Sequence, residues 1–152
     1  MKIIVAAIGR AKAGPERDLF QTYTSRLRWP VQLKEIEIKK ELDTNIRRTR
    51  EGVALLAAIP EHARIIVLDE NGKNDTSKEF AIRLGEWRDA GTATVAFIIG
   101  GADGIDGAVR NRADTVLSFG TLTWPHMLVR ALLAEQIYRA HAILSGHPYH
   151  RA

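Results

Sequence analysis

Five short apolar, β-branched runs, separated by stretches of helical periodicity, constrain this chain more than any other feature. They fall at residues 3–8, 31–38, 64–68, 94–99 and 115–119. The first, third and fourth are nearly unbroken in Ile, Val, Ala, Leu and Phe, as expected of parallel strands covered by helices on both faces. The second alternates, with Lys34, Glu35 and Glu37 set among Leu33, Ile36 and Ile38, which places it near a sheet edge. Helical patterns occupy residues 15–27, 44–58, 77–90, 106–112 and 126–144. Pro15 suits a first helical turn, Thr76 or Ser77 with Glu79 forms a start signal, and Gly91 and Gly146 stand where the third and last helices close. The alternation predicts one α/β domain over residues 1–152, with a mostly parallel sheet and helices on both faces. The charged stretch 39–50 reads as a solvated loop and helix face.

The last helical pattern is apolar around nearly its whole circumference: Met127, Leu128, Val129, Leu132, Leu133, Ile137, Ile143 and Leu144 leave no continuous polar face. Such a helix must be covered all round, and a terminal helix in one small domain has a single sheet to lie on. A symmetric dimer is the expected arrangement.

At 152 residues, 45% apolar and 26% charged, the chain has the make-up of a folded globular protein, which excludes a disordered one. No run approaches the ~20 apolar residues that span a bilayer. The start, Met1-Lys-Ile-Ile-Val-Ala-Ala-Ile-Gly9, superficially resembles a signal peptide, but it is short and Arg10 and Lys12 follow at once, so it reads as a first buried strand. The lack of cysteine excludes disulfides, thiolate metal sites and a cysteine nucleophile, and fits a reducing cytoplasm. A net charge of +4 tilts the expected partner towards a polyanion.

Two strand ends carry glycine. Ile99-Gly-Gly-Ala-Asp-Gly104 follows the fourth run and Leu68-Asp-Glu-Asn-Gly72 the third, where glycine lets backbone approach a ligand closely. No G-x-G-x-x-G can be drawn through the first, and Gly72-Lys73 lacks the rest of a P-loop. Pro125-His126 opens the last helix; His126 is either an exposed first-turn residue or a site residue. Arg130 shares its face with Ala134, Ile137 and His141, and so needs a polar partner from another element or subunit. Glu135 and Arg139 pair at i,i+4 spacing. The tail His147-Pro-Tyr-His-Arg151 is either a disordered end or a basic, aromatic surface suited to an unstacked base and its phosphates. Its two histidines have no accompanying ligand cluster, so no metal site is expected.

Taken in order, Leu68-Asp69, Ile99-Gly-Gly-Ala-Asp-Gly104, Leu117-Ser118, Thr123-Trp-Pro-His126, Arg130, Glu135-Gln136, Tyr138-Arg139 and His147-Pro-Tyr-His-Arg151 resemble the ribosomal RNA large subunit methyltransferase H family of the SPOUT superfamily. The likeness runs along essentially the whole chain. It implies a homodimer whose C-terminal segment threads a deep trefoil knot, an exception to the rule against knotted chains. It further implies S-adenosyl-L-methionine as cofactor and methylation of N3 of a pseudouridine in the helix 69 loop of 23S ribosomal RNA, on the assembled ribosome. Cofactor contacts carry over to Leu68, Gly100, Phe119, Gly120, Thr121, Leu122, Thr123 and Trp124. His126, Arg130, Tyr149, His150 and Arg151 carry over as residues facing the methyl group and the RNA, some of them from the second subunit. Asp103 lies in a variable pair of that family and receives no role.

In this reading His126 or His150 takes the N3 proton, and Arg130 or Arg151 stabilises the developing imide anion. Tyr149, His150 and Arg151 hold the RNA. Two readings compete: a ribosome-associated RNA-binding protein that keeps the fold without turnover, and an α/β enzyme acting on a small metabolite.

Overall fold

A strand sends successive side chains to opposite faces, so an unbroken apolar run needs cover on both. The computed structural model, which describes residues 1–39 and 43–151, provides that cover. Lys40, Glu41 and Leu42 of the charged stretch, and Ala152, lie outside the described residues. Five strands, β1 (Lys2–Ile8), β2 (Val31–Ile36), β3 (Arg64–Asn74), β4 (Thr94–Ile99) and β5 (Thr115–Ser118), form one sheet in the order β2-β1-β4-β3-β5. All four pairings are parallel. The alternating strand β2 stands at one edge and the short β5 at the other. The helices are α1 (Pro15–Thr24), α2 (Thr44–Ala57), α3 (Ser77–Asp89), α4 (Gly107–Arg112) and α5 (His126–Leu144).

Ile3, Val5, Ile66, Val95 and Phe97 point to one face, where Phe20 of α1, Phe80 and Leu84 of α3, and Leu133 and Ile137 of α5 bury them. Ala6, Ile8, Ile65, Val67 and Ile98 point to the other, against Leu55 of α2 and Val109 of α4. Among the described residues no helix is long and apolar enough to cross a membrane.

Local signals set most boundaries. Thr76 caps α3 in a full capping box: its hydroxyl accepts from the Glu79 N–H, and the Glu79 carboxylate accepts from the Thr76 N–H. Thr76→Ala is expected to cost about 1 kcal/mol in urea-induced unfolding. Gly91 and Gly146 close α3 and α5 with φ of +84° and +69°. Helix α1 ends at Thr24 rather than at Leu27, because Arg26 and Leu27 bond back only three residues and the Thr24 and Ser25 hydroxyls compete for helix carbonyls. Strand β2 stops at Ile36, two residues before the end of its apolar alternation.

The largest departure from the sequence pattern is in β3. Its apolar run ends at Leu68, yet pairing with β5 resumes at Lys73 and Asn74 after an irregularity, so Asp69, Glu70 and Asn71 bow out of a strand that continues, while Gly72 lies against the backbone of Leu117. Polar residues sustain this extension because the bonding is supplied by the backbone of β5.

Helix α5 is covered within this one chain more fully than its wheel suggests. Ala131, Leu133, Ala134, Ile137, Ala140 and Ala142 are buried between the sheet and helices α1 and α3. Leu128 and Leu132 near the start of the helix stay half-buried, as do Met127, Val129, Ile143 and Leu144.

Candidate functional site

The bow of β3, the glycine turn after β4 and the segment after β5 meet outside the carboxyl ends of their strands, where open α/β sheets hold ligands. They enclose a cleft of about 670 Å³, within the range of small-molecule sites. Leu68, Gly100, Phe119, Gly120, Leu122, Thr123 and Trp124 line it, as does His126; Thr121 does not. The segment after β5 is fixed by its own polar groups. The Ser118 hydroxyl donates to the Gly120 carbonyl at 2.7 Å, Thr123 donates to Glu70 at 3.1 Å across the cleft mouth, and the Trp124 indole donates to the Phe119 carbonyl at 3.3 Å. In the bow, Asp69 accepts from the Asn71 N–H at 2.9 Å and from Arg110 at 2.8 Å, which ties β3 to α4.

The glycine turn is tight. The Gly104 N–H donates to the Gly101 carbonyl at 3.2 Å, and Gly104 takes a φ of +83°. A side chain added at Gly100 would meet Ile105 at 2.7 Å and the Gly104 carbonyl oxygen at 3.0 Å. Gly100 is therefore required by the turn itself: a substituent points into the loop before it could fill the cleft. Gly100→Val is expected to disorder the turn and to weaken any ligand of the cleft at least about tenfold, read by calorimetry.

His126 stands at the start of α5, half-buried, beside Gly9 at the end of β1. Burial, and then the nearby Arg130 charge, lower its pKa below the usual histidine range. Arg130 finds the polar partners its apolar face demands. Its guanidinium donates to the carbonyls of Ile8 and Gly9 at 2.9 and 2.8 Å and pairs with Glu35 of β2 at 2.9 Å. Burial alone would raise the Glu35 pKa; the Ala11 N–H and Arg130 outweigh it and hold the carboxyl below its usual range. Arg130 thus pins the end of β1 under His126, and it does not line the cleft.

The tail is docked rather than free. The Tyr149 hydroxyl donates to Glu135 at 2.9 Å, its ring packs edge-on to Tyr138 at 4.7 Å, and Arg139 lies over it at 4.9 Å. Arg139 also bonds Glu135 at 2.5 Å and His150 Nδ1 at 3.2 Å, so the i,i+4 pair doubles as the tail's anchor. Within one chain, Tyr149, His150 and Arg151 are not brought to the cleft; Arg151 is exposed. Among the described residues no three potential metal ligands converge.

Sequence reasoning passed over the α2 side of the site. Stretch 39–50 is not simply solvated: Arg48 lines the cleft, and Arg47 bonds Asp103 at the tip of the glycine turn, 2.6 Å apart. Behind them Glu51 is buried. The usable signal was the i,i+4 spacing of Arg47 and Glu51 on a helix with an otherwise costly internal glycine, Gly52.

The family described as "Predicted SPOUT methyltransferase" matches residues 1–150, and the chain belongs to it. The chain is 58% identical over 151 residues to Ribosomal RNA large subunit methyltransferase H of Paramagnetospirillum magneticum, covering 99% of each chain. It is 55% identical over 152 residues to the protein of the same name from Rhodospirillum centenum, covering 100% of each. Among solved structures it overlays the SpoU methyltransferase AviRb from Streptomyces viridochromogenes with a TM-score of 0.49 at 12% identity, over 96% of this chain and 61% of that one.

Proposed function

We propose that this single-domain protein is an S-adenosylmethionine-dependent methyltransferase that modifies N3 of a pseudouridine in the helix 69 loop of 23S ribosomal RNA, on assembled ribosomes in the cytoplasm. Family membership and the full-length relatives support the ribosomal RNA chemistry. The observation that carries the reading is the cleft itself. Its glycine turn and the backbone of residues 119–124 leave an open cradle at the strand ends, which fits a cofactor held largely by main-chain groups. When bound, S-adenosylmethionine supplies an activated methyl on a sulfonium.

The remaining work falls to this chain. His126, at the cleft and kept neutral by burial and by Arg130, is the group assigned to accept the N3 proton. Arg130 positions the end of β1 beneath it, since both of its terminal nitrogens are already bonded to Glu35 and to the Ile8 and Gly9 carbonyls. Tyr149, His150 and Arg151 hold the RNA, reaching the cleft of a second subunit. A homodimer also covers the apolar rim, where Leu122 is 70% and Trp124 41% exposed just before the half-buried start of α5. The C-terminal segment threads a trefoil knot.

Mass spectrometry of 23S ribosomal RNA from cells with and without the gene tests the function: loss of one methylpseudouridine in the helix 69 loop is expected, and unchanged RNA would refute the proposal. Purified protein is expected to bind S-adenosylmethionine in the presence of a chelator, because the cleft offers no metal-ligand cluster among the described residues. Calorimetric binding only with added divalent ion would contradict this. Sedimentation at micromolar concentration is expected to give a dimer.

A further inference from the structure

Helix α2 grips the glycine turn at three successive points. Arg47 holds Asp103 at its tip. The Glu51 carboxyl lies under Gly101, its two oxygens 3.1 and 3.2 Å from where a Cβ on that glycine would sit. Gly52 lets the helix close on Asp106, leaving only 2.9 Å between its own Cβ position and the Asp106 Cβ. Asp106 in turn caps α4 through the Ala108 N–H. Glu51 is the unusual member: it is 7% exposed, and its Oε2 is shut off from solvent without a hydrogen-bond partner among the described residues. A buried carboxyl oxygen in that state costs stability, and the cost is smaller for the neutral acid than for the ion.

We propose that Glu51 is a positioning residue for the cofactor turn, supporting Gly101 from beneath in its neutral form and releasing the turn when it ionises. The proposal rests on the cleft being the S-adenosylmethionine site. Gly100, Gly101, Asp103 and Gly104 all line that cleft, so the turn's docking sets its shape. Glycine at 101 suits the same contact, since a Cβ there would crowd the Glu51 carboxyl and Ile8 at 3.1 to 3.2 Å, so that one of them must give way.

Among the described residues, two charged groups face Glu51, Asp103 from the turn and Arg47 from its own helix. Burial first, and Asp103 second, raise the Glu51 pKa above the ordinary glutamate value; Arg47 opposes them. A group whose pKa is raised in the docked state favours docking below its ordinary pKa. That support is lost as pH climbs through the raised value. Cofactor affinity therefore falls with rising pH over that interval.

The test is S-adenosylmethionine affinity by calorimetry on the full chain, from about pH 5 to about pH 8, for wild type, E51Q, E51A and D103N. E51Q keeps the shape and cannot ionise, so it retains the low-pH affinity with a flattened pH profile. E51A opens a void under Gly101 and binds about tenfold more weakly than wild type at low pH, with a flat profile that wild type approaches as pH rises. D103N removes the repelling charge and shrinks the pH-dependent fall. Amide exchange of residues 101–106 is read alongside, and E51A is expected to accelerate it at least about tenfold relative to E51Q. An E51Q profile that falls in parallel with wild type, or E51A that binds and exchanges as wild type does, overturns the proposal. Wild type that binds no cofactor at any pH overturns the cofactor assignment instead. Exchange in E51A against E51Q then decides the docking role by itself.

Discussion

His126→Ala lowers methyl transfer to ribosomes by about 10²- to 10⁴-fold in single-turnover assays, the usual contribution of a positioned proton acceptor. Cofactor affinity changes little, because the rest of the cleft wall, the glycine turn and the segment after β5, is untouched. The pH dependence identifies the group. Burial and Arg130 lower the pKa of His126 below its ordinary 6.5, so the imidazole is already neutral at neutral pH. The transfer rate of the native protein therefore stays level as pH falls towards that ordinary value and drops only below it, as the imidazole gains its proton. In His126→Ala that acid limb disappears. A variant with the native profile and rate would exclude His126 as the acceptor and return the role to His150.

Arg130 shows how far a sequence can be read and where it stops. An arginine on a face otherwise made of Ala134 and Ile137 had to have a polar partner, and the wheel alone established that. That the partners are Glu35 on β2 and two carbonyls at the end of β1 depends on which strand lies beneath the helix, and no local pattern encodes strand order. The same division runs through the fold. Runs 3–8 and 94–99 were legible because continuous β-branched residues need two covered faces, and α5 because its start signal and glycine end are local. The second half of β3 was not, since Asp69, Glu70 and Lys73 carry no strand periodicity and owe their extended path to β5. At the candidate site, glycines after strands marked the turn. Arg47 and Glu51 were hidden because charged residues on a helix are solvated far more often than they brace a loop, and only the packing of α2 on the turn reveals the difference.

Removing residues 148–152 is expected to cut methyl transfer to ribosomes by at least about 100-fold while leaving S-adenosylmethionine affinity unchanged, since stacking and phosphate contacts to RNA contribute a few kcal/mol together. The cut is placed after His147 for a structural reason. The His147 N–H donates to the Ala142 carbonyl at 2.9 Å, and with Gly146 it closes α5, so this truncation keeps the helix end intact. What it removes is the Tyr149 ring on Tyr138, the Tyr149 hydroxyl on Glu135, and the His150 contact with Arg139. Burial, and then the Glu135 carboxylate, push the Tyr149 phenol far above its usual range, so it remains a donor to Glu135 at every physiological pH. Tyr149→Phe removes the hydroxyl, with its bonds to Glu135 and Tyr23, and is expected to cost about 1 kcal/mol of stability while keeping the ring stack. The pair of variants separates two roles for the tail. If it serves RNA, the truncation loses transfer while Tyr149→Phe largely keeps it, and both bind cofactor as the native protein does. If it serves the fold, cofactor affinity and unfolding midpoint fall together in the truncation, because the tail's anchors, Glu135 and Arg139, lie on the helix whose first residue, His126, lines the cleft.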